Sequence, residues 1–238
     1  MNPREDEMVD YPVIRYDSNQ KTFICDHKYT SIECGLNIYL NGIKFLTSYC
    51  SPGDLEDLVI GILAQAGKIN SIDDIVDLKI EQNVAQVTTK IVKSDKIILG
   101  AFTKIFKAEP ILKCMDKLLG ELAATHNVTN GVHSGVIFDG QNILVFREDI
   151  GRHNVFDKLY GWALRQKMNL SDKIIVYSGR CSSEMMNKAG RMGIGTIAAK
   201  SVPTTFSINT AKNRGITLIA RMAPGSFCIY TNPERIVL

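Results

Sequence analysis

Along the first hundred residues, apolar positions come in short runs broken by turn chemistry. After about residue 110 they alternate between short runs and stretches of helical period. Residues 1–11 read as a loose polar lead-in, and 13–16 and 21–25 as short strands. The runs 36–40 and 43–49 flank Asn41-Gly42, two residues that tolerate positive φ, which predicts a tight hairpin. Ser51-Pro52-Gly53-Asp54 has the chemistry of a helix start, with Ser51 as cap, Pro52 in the first turn and Asp54 near the positive end of the dipole. Leu55, Leu58, Val59, Ile62 and Leu63 then share one helical face, and Gly67 ends the helix. A short helical turn at 71–76 follows. A second hairpin, 78–81 with 84–92 across Gln82-Asn83, completes a mostly β segment.

Pro110 opens a different regime. Leu112, Met115, Leu118, Leu119 and Leu122 carry helical spacing over 111–125. Strands are predicted at 132–138 and 142–146 around Asp139-Gly140-Gln141, a helix at 151–168 and a strand at 173–177. Next come a helix to about Gly193, a strand at 196–199, and a helix from Pro203-Thr204-Thr205 to near Gly215. Strands at 216–220 and 227–230 finish the chain. The order α-β-β-α-β-α-β-α-β-β predicts a mostly parallel sheet with helices on both faces, plus antiparallel elements at the tight turns. The expected organisation is a β-rich N-terminal subdomain with one helix over 1–108 and an α/β domain over 109–238.

Candidate chemistry concentrates at two strand-to-helix junctions of the second half, where open α/β sheets hold ligands. The first is Glu148-Asp149-Ile150-Gly151-Arg152-His153-Asn154-Val155-Phe156-Asp157-Lys158. It sets acids, a guanidinium, an imidazole and an amide at the mouth of a helix, with His153 and Asp157 four apart on one face. The bland alternative is a capped helix with a solvated first turn. The second junction is Ser178-Gly179-Arg180-Cys181-Ser182-Ser183. A glycine-containing turn presents free N–H groups to an anion, Arg180 adds a fork that fits phosphate or carboxylate, and Ser182 and Ser183 can cap the helix or bond the anion. Cys181 has two readings: a thiol activated by the helix start and Arg180, or a small residue filling space. His133 could face the same crevice as His153. The stretch Arg221-Met222-Ala223-Pro224-Gly225-Ser226 could close over a ligand as a loop.

Length and charge limit the partners. The 238 residues, 45% hydrophobic, suit a globular chain with a real core. A net charge of +3 is too small to imply a nucleic-acid or membrane partner, but leaves room for a local basic patch toward a phosphorylated small molecule. The charged N-terminus does not read as a signal peptide, and the apolar run 58–66 is too short to span a bilayer. The six cysteines form no C-x-x-C pair and match no zinc spacing, so no metal site is expected. Reduced thiols and a cytoplasmic location are the default. Cys34 and Cys50 lie at strand ends and carry no signal, and Cys114 reads as core.

At these residues the chain resembles the formate dehydrogenase accessory sulfurtransferase family (FdhD/NarQ), almost from end to end. Glu33-Cys34-Gly35-Leu36 with Asn41-Gly42 resembles its E-x-P-L and N-G. Residues 51–58 resemble T-P-G-D-L-x-x-L, with Gly61-Ile62-Leu63 as the following G-x-L, and Thr129-Asn130-Gly131-Val132-His133 resembles T-G-G-V-H. Residues 148–158 match E-D-I/V-G-R-H-N-A-x-D-K, and 178–184 match S-G-R-x-S-x-E. Pro203-Thr204 and Tyr230-Thr231 resemble its A-P-T and closing Y-T. The resemblance implies a cytidine-deaminase-like three-layer α/β/α domain with a mixed sheet, preceded by the smaller β-rich part, as a homodimer. It implies a carrier that takes persulfide sulfur from a cysteine desulfurase and delivers it to the molybdenum bis(molybdopterin guanine dinucleotide) cofactor of formate dehydrogenase. That cofactor is a bound client, with no intrinsic cofactor. Its guanine-nucleotide moiety would lie against His133, Asp149, Arg152, His153, Asn154, Asp157, Ser178, Gly179, Arg180, Ser182, Ser183 and 221–226. Deaminase chemistry is not implied, because the H-x-E and P-C-x-x-C zinc signature is lacking. The family's sulfur-carrying C-x-x-C would fall in 94–110, where this chain has no cysteine. Two readings stand: sulfur transfer by another thiol, Cys181 first and Cys114 next, or a non-catalytic member that binds the cofactor or a guanine nucleotide. A weaker third is an enzyme using His153 with Asp149 or Asp157 as acid and base.

Overall fold

The computed structural model describes residues 4–91 and 102–238. After a 3-10 turn, Glu5–Glu7, β1 (Met8–Asp17) and β2 (Thr22–Ser31) form an antiparallel ribbon, so pairing begins inside the expected lead-in. The next strands are β3 (Cys34–Leu40) and β4 (Ile43–Cys50). Their turn has Asn41 at φ 50° and Gly42 at φ 81°, the left-handed pair the hairpin needs. Helix α1 (Leu55–Gln65) follows, then a 3-10 turn, Ile72–Asp74, closed by a Ser71/Asp74 capping box. Strands β5 (Ile75–Glu81) and β6 (Val84–Thr89) complete a four-stranded sheet in the order β4-β3-β6-β5. The end of the expected 84–92 strand and residues 94–101 of the loop lie outside the described residues.

Ser51 does not cap α1. The residue before the helix is Asp54, at φ 55° and without a side-chain cap bond. Ser51 instead accepts from the Ile150 N–H at 3.1 Å, and its own N–H donates to Asp149 at 3.2 Å. A tertiary contact has outcompeted the local one.

The second half opens with β7 (Phe106–Lys107) and α2 (Ala108–Lys117). The single helix expected over 111–125 is broken into α2, a π-helical turn (Leu118–Leu122) and α3 (Ala124–Thr129). Strands and helices then alternate: β8 (His133–Phe138), β9 (Ile143–Asp149), α4 (Arg152–Arg165), β10 (Ile174–Tyr177), α5 (Ser183–Met192), β11 (Thr196–Ala199), α6 (Thr205–Asn213), β12 (Thr217–Ala223) and β13 (Ser226–Thr231). A final β14 (Ile236–Val237) pairs in parallel with β7, a contact that no periodicity indicated.

The sheet order is β13-β12-β11-β10-β8-β9. Only the β10–β11 and β11–β12 pairings are parallel, so the sheet is mixed rather than mostly parallel. Even so, β9, β10, β11 and β12 all run the same way, and their C-terminal ends share one edge. Period-two alternation divides the sheet between two cores. Ile175, Tyr177, Ile197 and Leu218 face α4, α5 and α6. Ile174, Val176, Ala198 and Ile219 face the α2 layer through Ile111, Met115 and Leu118. The result is a three-layer α/β/α arrangement. A third core under the N-terminal sheet is built on α1 and reaches Tyr160 and Leu164 of α4. Among the described residues, no helix is long and apolar enough to cross a membrane.

Candidate functional site

The shared edge of the sheet gathers the ends of β9 and β10 with the first turns of α4 and α5. Helix dipoles and free N–H groups make such an edge favourable for an anion. Arg152 opens α4, Arg180 lies in the turn before α5, and Arg221 sits at a bulge near the end of β12 with φ 55°. All three are exposed, and among the described residues none has a carboxylate partner. The bulge is tied to the neighbouring strand end: the Arg221 N–H donates to Ser201 O at 3.0 Å, and Lys200 Nζ donates to Met222 O at 2.9 Å.

Near these cations lie two buried hydroxyls, Tyr177 Oη and Ser182 Oγ, that have no hydrogen-bond partner among the described residues. Such orphans are uncommon in folded proteins. Tyr177 is fully buried, packed edge-on against Phe156 at 5.3 Å between ring centroids, with the His133 ring at 6.3 Å. Gly179 lies so close that a Cβ there would collide with the phenol oxygen. The turn from β10 into α5 thus rests directly on Tyr177. Ser178 joins this turn to β8: its Oγ accepts from the Ser134 N–H at 2.8 Å, and its N–H donates to Ser134 O at 2.9 Å.

Other residues expected at the ligand do different work. Asp149 is fully buried and accepts from the Gly151 N–H and Asn154 Nδ2 at 2.8 Å each, while Lys158 Nζ lies 2.7 Å from it. Asn154 Nδ2 also donates to Tyr49 O at 2.8 Å. These two side chains set the turn that aims Arg152. Asp157 is buried and ion-paired to Lys188. His153 turns toward α5, with Nε2 3.2 Å from Glu184, and lines a cavity of about 540 Å³ with Gln65, Asn187, Lys188 and Arg191. His133 faces Tyr177 instead, with Arg152 and Arg180 among its charged neighbours. The two imidazoles therefore look away from each other. An acid–base dyad of His153 with Asp149 or Asp157 is not formed, since both carboxylates are engaged elsewhere.

Two further expectations are corrected. Residues 221–223 belong to β12 rather than to a free loop, and Met222 is buried in the α2-side core; Ala223, Pro224, Gly225 and Ser226 form the exposed hairpin tip. Cys181 is fully buried in the core facing α4–α6, and burial pushes its thiol up to about 12. Cys114 is likewise buried and raised to about 12. Proximity to a helix start does not activate Cys181, because desolvation of the thiolate dominates. Ser183 begins α5. Sequence reasoning missed Tyr177, which had read as an ordinary strand residue, and Lys158, whose only signal was its place in the Asp-Lys pair.

A buried acidic group lies behind the site. Glu148 accepts from Ser134 Oγ at 2.9 Å, and Glu7 receives Arg4 at 3.0 Å but leaves Oε2 unpartnered. Burial lifts the carboxyls of Glu7, Glu148 and Asp157 above their ordinary range, opposed by Arg4, Ser134 and Lys188 respectively. A carboxyl raised on folding adds stability that is complete below its unfolded pKa, about 4, and lost as pH rises through the folded value. Burial depresses His133 and His153, helped by Arg152 and Lys188. Their contribution is present above about pH 6.5 and lost as pH falls through their folded values. Glu7→Gln keeps the acceptor for Arg4 and removes the buried charge. It is expected to raise stability at pH 8 by about 1 kcal/mol and to change little at pH 4. Urea denaturation at both pH values checks this; an equal change at both would exclude proton linkage.

Comparison with known proteins agrees with this architecture. The profile of the FdhD/NarQ family matches residues 31–104 and 98–237. The chain is 33% identical to the sulfur carrier protein FdhD of Staphylococcus aureus strain JH9, covering 98% of both chains, and equally so to that of strain Newman. A crystal structure described as a formate dehydrogenase accessory protein from Desulfotalea psychrophila superposes with a TM-score of 0.86 at 23% identity, over 97% of this chain and 99% of that one. With the family profile spanning nearly the whole chain and the curated relatives matching end to end, the protein belongs to the FdhD/NarQ family.

Proposed function

We propose that the protein is a sulfur carrier for formate dehydrogenase maturation, which accepts sulfur from a cysteine desulfurase and delivers it to the molybdenum bis(molybdopterin guanine dinucleotide) cofactor. The named activity of its relatives supports the carrier role. The observation that supports a nucleotide-bearing client is the sheet edge itself: Arg152 and Arg180 at the mouths of two helices and Arg221 at the β12 bulge, none with a carboxylate partner among the described residues. Guanidinium forks and helix N-termini match the oxygens of a diphosphate. On this reading Arg152, Arg180 and Arg221 hold the phosphates, and Tyr177 supports from below the turn that carries Arg180. Asp149, Asn154 and Lys158 keep the turn in place. The α/β/α domain is read as cytidine-deaminase-like in layout, without that fold's zinc chemistry.

Arg180→Gln is expected to weaken binding of GDP, used as the probe, by about ten- to a hundredfold, the usual consequence of losing one charge-assisted contact. Isothermal titration calorimetry measures this, and an unchanged Kd would place the nucleotide elsewhere.

We read the protein as a homodimer that associates through the β1–β2 ribbon. Ile14, Tyr16 and Phe23 on one face are 72%, 56% and 74% exposed, and Tyr16 stacks on Phe23 at 5.5 Å. Apolar patches of this kind mark association surfaces. Phe23→Asp should convert the dimer to monomer in sedimentation velocity; a variant that remains dimeric would move the interface off the ribbon.

A further inference from the structure

Sulfur transfer needs an accessible thiol near the client site. The core excludes Cys114 and Cys181. Cys25 and Cys228 are exposed but solitary, on β2 and on the edge strand β13. Cys34 and Cys50 differ from all four. They are register partners across β3 and β4, with their Sγ atoms 3.6 Å apart. Cys34 packs against the N-terminal core but is partly open to solvent, and Cys50 beside it is fully buried.

This pair is fastened to the candidate site. Both residues flanking Cys50 bond to the turn that aims Arg152: Tyr49 O accepts from Asn154 Nδ2, and Ser51 binds Asp149 and Ile150. Cys50 therefore lies one residue from each of the contacts that join the N-terminal sheet to the arginine-lined edge, and Cys34 faces it across the β3–β4 ladder. Two thiols at this distance also form a distinct chemical unit. One can carry sulfur while the other donates an S–H hydrogen bond to it.

We propose that Cys34 is the sulfur-accepting thiol of this chain, with Cys50 as its hydrogen-bond partner. The inference rests on the sulfur-carrier reading and names the atom that carries the sulfur. The Cys34 thiolate attacks the outer sulfur of a cysteine persulfide on the donor enzyme. A new S–S bond forms at Cys34, the donor's S–S bond breaks, and the donor cysteine leaves as thiolate. The exchange is redox-neutral and needs no further reactant. Burial, reinforced by the neighbouring Cys34, raises the Cys50 thiol pKa and keeps it protonated as a donor. Attack of an acceptor thiolate on the terminal sulfur forms a new S–S bond there, breaks the bond to Cys34 and returns Cys34 to the thiolate.

The test uses the full chain incubated with a cysteine desulfurase and cysteine, followed by alkylation and peptide mass mapping. The expected result is a reducible gain of one sulfur atom on the Cys34 peptide of the unmutated protein. Cys34→Ser, which preserves side-chain size, should reduce total loading at least tenfold, and Cys50→Ala should slow loading several-fold. Sulfur mapped to Cys25 or Cys228, and retained in Cys34→Ser, would overturn the assignment of Cys34 while leaving the carrier reading intact. An unaltered loading rate in Cys50→Ala would overturn the role given to Cys50. No adduct on any cysteine, while a C-x-x-C relative loads in the same reaction, would overturn the carrier reading itself.

Discussion

Gly161→Ala is expected to leave little folded protein, with a loss of stability above about 4 kcal/mol. The reason lies where α1 and α4 cross. A Cβ on Gly161 would drive into the backbone carbonyl of Asp57, and a Cβ on Gly61 into the backbone carbonyl of Asp157. Each helix thus offers a glycine to the other's main chain. A clash with a side chain can be relieved by a rotamer change, but a clash with a helical carbonyl requires the helices to separate. Separation would open the packing of Leu58 and Leu63 beneath Tyr160 and Leu164. It would also pull on Asp57, which is held by Arg165 at 2.9 Å and also by Arg147. Alanine is ordinarily the better helix former by about 1 kcal/mol, so the sign of the effect is itself diagnostic. Soluble yield and urea denaturation of Gly161→Ala and Gly61→Ala provide the measurement. A midpoint equal to or above that of the unmutated chain would show that the helices do not approach so closely.

Lys158→Ala should cost about 3–5 kcal/mol, the range for removing one partner of a buried ion pair. Lys158 and Asp149 are both fully buried, and Lys158 Nζ also donates to Glu148 O at 3.0 Å. Without the ammonium, Asp149 keeps its N–H donors but remains a charge in a dry site. For a chain of this size the loss corresponds to a fall of roughly 10 °C in Tm. The effect should also reach the site, because Asp149 bonds Gly151 and Asn154 and so orients Arg152. GDP binding is expected to weaken in Lys158→Ala although Lys158 touches no ligand. Lys158→Met combined with Asp149→Asn should recover part of the stability, because no uncompensated charge is left. A single variant as stable as the parent, or a double variant less stable than the single, would refute the pairing argument.

The elements that were legible in advance rest on local interactions. Asn41-Gly42 forms its turn because both residues accept positive φ, and Gly193 ends α5 at φ 74° for the same reason. The Thr196–Ala199 strand and the helix before Gly215 followed from period and punctuation. The two strand-to-helix junctions were also visible, because acids, arginine and glycine clustered where an apolar run changed period. Their internal division of labour was not visible. Asp149, Asn154 and Arg152 stand within six residues, yet two turn inward and one turns out, according to what packs beneath them.

Ser51 shows how a sound local inference fails. A serine before Pro52 is a good cap, but the chain brings the 149–151 turn against it, and those tertiary bonds replace the cap. The sheet's direction was misjudged for a related reason. The alternation of strands and helices is local, whereas the insertion of β8 antiparallel between β9 and β10 depends on which edges meet.

Amino-acid order alone was therefore enough for the periods, the turns, the family motifs and the two junctions where arginines and helix starts gather at one edge of the sheet. Each follows from interactions between residues a few positions apart. Folding decided which side chains became buried partners. Asp149 with Lys158, Gly61 with Asp157 and Cys34 with Cys50 are set by how layers dock. The thiol pair had no sequence signal because Cys34 and Cys50 are sixteen residues apart, and only the β3–β4 register brings their sulfurs within 3.6 Å. Burial likewise removed Cys181 from the chemistry: one position beyond Arg180, the chain enters the core, and a thiolate there has no water to stabilise it.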